Sequence, residues 1–233
     1  NRLNNWAEKY HVYIEAQAGF RQHMGTVDNI FSLHGLITYL LNNNKKLYAG
    51  FVDFTKAFDY LVRDIMWYKL IKYGVRGKML DVIKSMYESV RSRIKYQNVL
   101  SEEFTCVLGA PQGESLSPFL FSMYLNDIEE HFVLNGFEGV DLGHLKLFLL
   151  LYADDIVILS ETEEGLEKGL YLLESYCDKW RLTVNIKKTK IMIFRKGRIR
   201  NNIAFYYKGE KLIIVEKFTY LGVVFTTGGS FNT

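Results

Sequence analysis

The sequence predicts an α+β domain, with helices packed on a mainly antiparallel sheet. Three observations carry that expectation. Several stretches have helical spacing and recognisable caps; several short apolar runs read as paired strands; no internal repeat or low-complexity linker interrupts them. Of 233 residues, 48% are hydrophobic, enough for a substantial core or for two small subdomains sharing one. Aromatic residues at 15% exclude a disordered chain.

Residues 1–10 read as the inside of a helix without a start signal. Thr26 or Asp28 is placed to cap a helix running to about Leu41, which Asn42, Asn43 and Asn44 then end. Residues 47–54 are apolar and rich in β-formers, a strand that delivers the carboxylate of Asp53. Helical spacing over 65–73 ends at Gly74, a natural C′ residue, and 78–90 reads as a second helix. Residues 91–97 and 104–108 look like paired strands with a turn near Ser101, and 109–113 is loop. Ser117 caps a helix with Pro118 at its first position, running to about His131. The apolar runs 145–152 and 156–159 predict a hairpin with Asp154 and Asp155 at its tip. Thr162 caps a helix ending near Trp180, and strands are expected at 190–194, 203–207, 212–215 and 219–225.

Some classes are excluded. The longest uninterrupted apolar run, 147–153, is far too short to cross a bilayer, and no secretory signal opens the sequence. Cys106 and Cys177 are the only cysteines, which gives neither a disulfide framework nor a zinc motif and makes a reducing compartment the expectation. The net charge of +3 is unevenly spread. Residues 187–217 hold ten Lys or Arg against two Glu, and 69–95 hold eight against two acidic residues, so the remainder is acidic. Basic stretches interleaved with Phe194, Phe205, Tyr206 and Tyr207 suit a nucleic-acid backbone with stacked bases, although a solvated charged face has the same composition.

The most informative stretch is 147–159, where Asp154 and Asp155 stand between two core-type strands. Burying unpaired carboxylates is costly, and two like charges in contact make it worse. A divalent cation with hard oxygen ligands relieves both. An exposed Asp-Asp turn would read the same in isolation. Asp53, however, ends a second apolar strand, and strands neighbouring in one sheet would bring all three carboxylates together. That is the donor set for two Mg²⁺ ions about 3.5–4 Å apart.

With those residues in view, a family resemblance becomes specific. Residues 51–59 (FVDFTKAFD) resemble motif A of reverse transcriptases, 109–121 (GAPQGESLSPFLF) motif B, and 152–155 (YADD) motif C. Residues 182–190 (LTVNIKKTK) resemble motif D, and 218–222 (FTYLG) motif E, the primer grip. Upstream, 17–21 (QAGFR) with Thr26 and Asp28 resembles a fingers motif. The order and spacing are similar to the non-LTR (LINE-type) retrotransposon enzymes over nearly the whole chain. Group II intron-type enzymes and maturases share the motifs, but Tyr220-Leu-Gly222 and Lys56-Ala-Phe-Asp59 lean to the LINE side.

The resemblance implies a reverse-transcriptase palm, an antiparallel sheet with helices packed on one face, plus partial fingers. It implies fingers at 1–46, palm with motif A at 47–60, a fingers/palm connection at 61–108, palm with motifs B to D at 109–215, and primer grip with the start of the thumb at 216–233. It implies RNA-directed DNA synthesis from an RNA template, a DNA primer and dNTPs, with two Mg²⁺ ions, Mn²⁺ being able to stand in. Asp53 and Asp154 would be the main metal ligands and Asp155 the weaker third. Phe54 and Phe58 would touch the nucleotide, Phe58 as the sugar-selecting aromatic five residues after Asp53; Gln112 and Gly113 would line the nucleotide and template pocket; Lys188 would meet the triphosphate. Phe218, Tyr220, Leu221 and Gly222 would hold the primer. Arg21 is a phosphate or template contact in this reading, or else a structural salt bridge. Core packing for Phe58, a turn role for Gln112 and a solvated Lys188 are the plainer alternatives. Glu114 departs from the small or sulfur-bearing residue usual after the Gln-Gly pair. A thumb, the basic fingers strands and an endonuclease are expected outside these residues, in a longer polyprotein working in the nucleus or cytoplasm without a membrane. A catalytically idle RNA-binding remnant of such an element is the rival from another class.

Overall fold

The computed structural model describes residues 2–111, 113–143, 145–197 and 202–232. In chain order the elements are helices α1 (Arg2–Lys9) and α2 (Thr26–Asn42), strand β1 (Leu47–Val52), and helices α3 (Arg63–Lys72) and α4 (Lys78–Glu88). Four two-residue strands follow: β2 (Arg91–Ser92), β3 (Lys95–Tyr96), β4 (Val99–Leu100) and β5 (Phe104–Thr105). Next come helices α5 (Ser117–Leu125) and α6 (Ile128–Leu134), then β6 (Val140–Asp141), β7 (Lys146–Leu147), β8 (Leu149–Tyr152) and β9 (Asp155–Ser160). Helix α7 (Glu163–Trp180) precedes β10 (Lys190–Phe194), β11 (Tyr206–Tyr207), β12 (Glu210–Lys211), β13 (Ile213–Val215), β14 (Lys217–Tyr220), β15 (Val223–Thr226) and β16 (Phe231–Asn232).

The chain divides into two compact units, one made of Asn1–Thr55 with Asn126–Thr233 and the other of Lys56–Leu125. The first is built on a five-stranded sheet of order β13-β10-β1-β9-β8. All its pairs are antiparallel except β10 with β13, which run parallel. β1 lies at the centre and is buried at every residue. Leu47, Ala49 and Phe51 join a core with Leu33, Ile37 and Leu40 of α2 and with Tyr220, Val223 and Phe225 of the β14–β15 hairpin. From the opposite face, α7 packs on β1 and β9, with Gly169 set close under Ile158. Helices therefore cover both faces rather than one, because a strand buried on both sides needs two covering layers.

Two helix starts show how local chemistry fixes the elements. Thr162 caps α7 as expected, its hydroxyl accepting from the Gly165 N–H at 3.0 Å. At α2 the cap is Gly25, not Thr26 or Asp28: Asp28 sits one turn in, and its carboxylate accepts the Gly25 N–H at 2.7 Å.

Other elements depart from expectation for tertiary reasons. The helix expected to reach His131 stops at Leu125 and restarts at Ile128. Asn126 instead bonds the backbone of Val12 and Ile14, and Asp127 accepts the Tyr176 hydroxyl, so both side chains are committed away from the helix. Residues 219–225 are a hairpin rather than one strand. Its two-residue turn, Leu221–Gly222, has positive φ at both positions, which matches the twist of the flanking strands. In the second unit the hairpin tip falls at Gln97–Asn98, both at positive φ, rather than near Ser101. There α3 packs on α4 and α5, and Lys69 is fully buried with its ammonium donating to the Tyr124 carbonyl at 2.9 Å.

The two-faced burial of the central sheet yields a first prediction. Leu159 of β9 is fully buried among the α2-side core. Leu159→Ala is expected to lower stability by about 2–5 kcal/mol, read from urea unfolding. A loss below about 1 kcal/mol would mean the sheet is loosely packed on that face.

Candidate active site

The register of β1 against β9 decides where the carboxylates meet. Val52 stands opposite Ile156, so Asp53, the next residue of β1, leaves the sheet beside Asp155. Tyr152 pairs with Asp155, which makes Ala153–Asp154 the two-residue turn of the β8–β9 hairpin. Asp53, Asp154 and Asp155 thus share one edge of one sheet, the arrangement expected from the two strands. Ala153 has φ +57°, a conformation that costs a residue with a Cβ about 1–2 kcal/mol.

These groups burden one another. Burial first, then the charges of Asp154 and Asp53, push the Asp155 carboxyl up to about 6, against the partial relief of Lys188. Asp154 is also raised, chiefly by burial and further by Asp53, while its own backbone N–H and Lys188 oppose the shift. Asp53 Oδ1 lies 3.6 Å from Lys188 Nζ, and its Oδ2 is buried with no hydrogen-bond partner among the described residues. Among the described residues, no three acidic, His or Cys side chains converge closely enough to chelate an ion unaided. The three aspartates share an edge and an electrostatic field rather than a closed cage. The donor set nonetheless suits a hard divalent cation: every ligand atom is a carboxylate oxygen, the negative form is held at elevated energy, and one buried oxygen is unsatisfied.

The segment after α7 straps Asp53 in place. Phe54 pairs with Val184 in an antiparallel bridge, the Thr55 N–H donates to Thr183 O at 2.7 Å, and the Asn185 N–H donates to Asp53 O at 2.7 Å. The Asp53 N–H donates to the hydroxyl of Thr189, a residue only 1% exposed. Both backbone groups of Asp53 are therefore held by residues 185 and 189, while Lys188 between them faces the carboxylates. Sequence reasoning quoted Thr189 and Asn185 within a motif but gave them no role, since nothing in a lone Thr or Asn announces such a bond.

A cavity of about 440 Å³ opens beside the carboxylates, lined by Asp53, Asp155, Lys187, Lys188, Lys190 and the 218–221 stretch. Phe218 stacks on Phe51 with centroids 4.5 Å apart, and Tyr220 tilts against the same ring at 5.5 Å. The Tyr220 hydroxyl accepts from Asn29, which also bonds Leu151 O. Phe218, Tyr220 and Leu221 thus line the cavity that holds Asp53 and Asp155, with Gly222 completing the turn.

Arg21 is a structural residue rather than a free phosphate contact: its guanidinium makes two bonds to Glu8 at 3.0 Å and two more to the carbonyls of Ile14 and Gln17. Phe54 is 4% exposed, so its ring packs in the core instead of facing a nucleotide. In the second unit, Phe58 is half-buried against Phe121 at 4.8 Å, and Gly113 is exposed at φ +88°. Gln112 lies outside the described residues.

A mixed α+β unit with carboxylates at the end of its central strand and at the tip of the adjoining hairpin has the architecture of a polymerase palm. Among solved structures, apo telomerase from Candida tropicalis truncated from its C-terminal domain superposes with a TM-score of 0.68 at 16% identity, over 99% of this chain and 43% of that one. Telomerase from Candida albicans, in complex with a fragment of telomeric RNA, also gives 0.68, over 99% of this chain and 37% of that one. The chain belongs to the reverse transcriptase (RNA-dependent DNA polymerase) family, whose model matches residues 1–225. It is 31% identical over 195 residues to a probable RNA-directed DNA polymerase from transposon BS of Drosophila melanogaster, covering 81% of this chain and 21% of the relative. It is 27% identical to the RNA-directed DNA polymerase from mobile element jockey of Drosophila funebris, covering 96% of this chain and 24% of the relative. These relatives place it with the non-LTR retrotransposon branch, as motifs A to E implied. The chain spans about a fifth to a quarter of the length of those curated relatives. The family generally uses divalent metal ions. No helix among the described residues is long and apolar enough to cross a membrane.

The crowding of the carboxylates generates a second prediction. Asp155 titrates near 3.8 when unperturbed and near 6 in the folded chain, so between those values the folded state holds a proton that the unfolded state has released. Stability without a divalent ion should therefore fall as pH rises from about 4 to 6. Asp155→Asn removes that burden and is expected to stabilise the chain at pH 7 in chelator by on the order of 1 kcal/mol, after allowance for partial exposure. Denaturant unfolding of both forms checks it; a clear loss of stability would mean Asp155 makes a stabilising contact instead.

Proposed function

We propose that this chain carries the palm of an RNA-directed DNA polymerase, part of a longer retrotransposon polyprotein with an endonuclease and thumb outside it. Its substrates are dNTPs and a DNA primer annealed to an RNA template. The observation that carries this reading is the β1–β9 register, which sets Asp53 beside Asp154 and Asp155. In the reaction the primer 3′-oxygen attacks the α-phosphorus of the dNTP and the bond to pyrophosphate breaks. Two Mg²⁺ ions, or Mn²⁺ in their place, supply charge neutralisation and lower the pKa of the attacking hydroxyl when bound.

Asp53 and Asp154 hold the ions, with Asp155 as the weaker third ligand. Lys188, with its ammonium near Asp53 and the cavity, meets the triphosphate and donates a proton to the leaving pyrophosphate. The β14–β15 hairpin with Phe218, Tyr220, Leu221 and Gly222 supports the primer end. The family resemblance assigns Gln112 and Gly113 to nucleotide and template binding. In this reading 1–46 is partial fingers, 47–60 and 109–215 palm, 61–108 their connection, and 216–233 primer grip leading to the thumb.

Primer extension on poly(rA)/oligo(dT) with Mg²⁺ tests the proposal. Asp154→Asn should lower nucleotide incorporation by several orders of magnitude while the fold is retained, because an amide supplies no charge to hold the ion. Near-normal extension by that variant would refute the assignment. Robust RNA binding without extension, even by a longer protein that includes the thumb, would favour an idle remnant.

Sugar choice gives a separate expectation. A flat ring beneath the nucleotide sugar excludes a 2′-hydroxyl and offers it no hydrogen bond, together worth discrimination on the order of a hundredfold. Phe58→Ala should raise ribonucleotide use relative to deoxyribonucleotide, and Phe58→Tyr should be nearly silent. Equal loss with both sugars would mean Phe58 serves only to pack on Phe121.

A further inference from the structure

The geometry points to Gln17 as a positioning residue for Asp154, acting through the turn that carries it. This rests on the reading of Asp154 as a metal ligand. Residues 16–18 pair with the outer edge of β8, the last strand of the sheet. The Ala18 N–H donates to Leu151 O and the Leu151 N–H donates to Ala16 O, both at 2.9 Å, so Gln17 pairs with Leu151 as one residue of a parallel strand.

From there the Gln17 side chain, 1% exposed, turns to the hairpin tip. Its Oε1 accepts the Ala153 N–H at 3.1 Å and the Gly19 N–H at 2.8 Å, and its Nε2 lies 3.5 Å from Ala153 O. Both backbone polar groups of Ala153 are thus met by one buried amide. Ala153 is the turn residue at φ +57°, while Asp154 has no positive φ, a turn pattern in which glycine is ordinarily found. The brace holds an alanine in that conformation directly before the metal ligand. Gly19 permits the approach: a Cβ there would stand 2.3 Å from Ala153 N and 3.0 Å from the Tyr152 carbonyl carbon.

The 12–21 segment is itself anchored at several points. Asn126 accepts the Ile14 N–H at 3.0 Å and donates to Val12 O at 2.7 Å. Arg21, clamped on Glu8, donates to the carbonyls of Ile14 and Gln17. The Glu129 carboxylate receives backbone N–H groups of Ala16 and Glu15. Charge repulsion at the tip favours spreading the turn, and a hairpin tip is the most compliant part of a sheet. An immobile acceptor on the far side of Ala153 limits that spreading.

The test uses the whole protein and Gln17→Met, which keeps the length and removes the acceptor. Mn²⁺ binding followed by electron paramagnetic resonance should weaken tenfold or more. Template–primer affinity in chelator should stay within twofold, and the near-ultraviolet circular dichroism should be unchanged. Asp154→Asn, measured alongside, should lose the Mn²⁺ signal. If Asp154→Asn binds Mn²⁺ normally, the reading of the site itself fails. If that variant loses the ion and Gln17→Met binds like the parent, the positioning inference alone is overturned, as it is if Gln17→Met weakens template–primer binding equally. Should Gln17→Met fail to fold, hydrogen exchange on the unaltered protein decides. The Ala153 amide should exchange as slowly as the β8 core; exchange at the rate of a free turn amide would overturn the inference.

Discussion

Repulsion among carboxylates that the sheet brings to one edge is the constraint on which the rest of the first unit depends. Asp53 leaves β1 and Asp155 begins β9 at adjacent positions of a register that cannot slip, because one residue of slippage would turn every core side chain of β1 to the wrong face. The crowding is therefore built into the hydrophobic pattern. Burial and like charge hold Asp154 and Asp155 above the usual carboxylate range. Such groups destabilise a fold unless something fixes them; here Thr189 and Asn185 hold the Asp53 backbone, and the Lys188 ammonium lies 3.6 Å from its carboxylate.

The stretch 185–189 shows a division of labour within one short segment. Thr189 points inward and accepts the Asp53 N–H, Asn185 donates its N–H to the Asp53 carbonyl, and Lys188 between them stays largely exposed near the carboxylate. Thr189 and Asn185 fix where Asp53 stands, and the exposed Lys188 pairs with its carboxylate. On the other side of the site, Tyr220 and Asn29 tie the β14–β15 hairpin to β8, so the hairpin, residues 16–18 and the Ala153–Asp154 turn converge on the same strand. A displacement at any of them would be felt at the carboxylates.

Much of this was legible in the sequence, for reasons that can be named. β10 was bounded to the residue, and β1, α7 and the β8–β9 hairpin within a few residues, because each has a strong apolar pattern and, for α7, the Thr162 cap. The three aspartates stood out because charge between core strands has few structural explanations. What escaped depends on partners distant in sequence. The break after Leu125 follows from bonds of Asn126 to residues more than a hundred positions earlier. The folding of 219–225 into a hairpin depends on positive φ at Leu221, which no propensity predicts for leucine. Arg21 read equally well as a phosphate contact or an ion pair until Glu8 and the carbonyls of Ile14 and Gln17 were seen around it. Phe54, next to a catalytic candidate, lies in the core because it pairs with Val184 across the strap.

The central claim is that Asp53, Asp154 and Asp155 form one site for divalent cations at the end of the palm sheet. The most direct measurement is anomalous diffraction from crystals of the protein with Mn²⁺, an RNA template with a 3′-terminated primer, and the matching dNTP. The account predicts anomalous density within coordination distance of Asp53 and Asp154, and a positive-charge balance there that brings the Asp155 carboxylate in as a third donor. Manganese bound elsewhere, with these three side chains left unliganded, would contradict it.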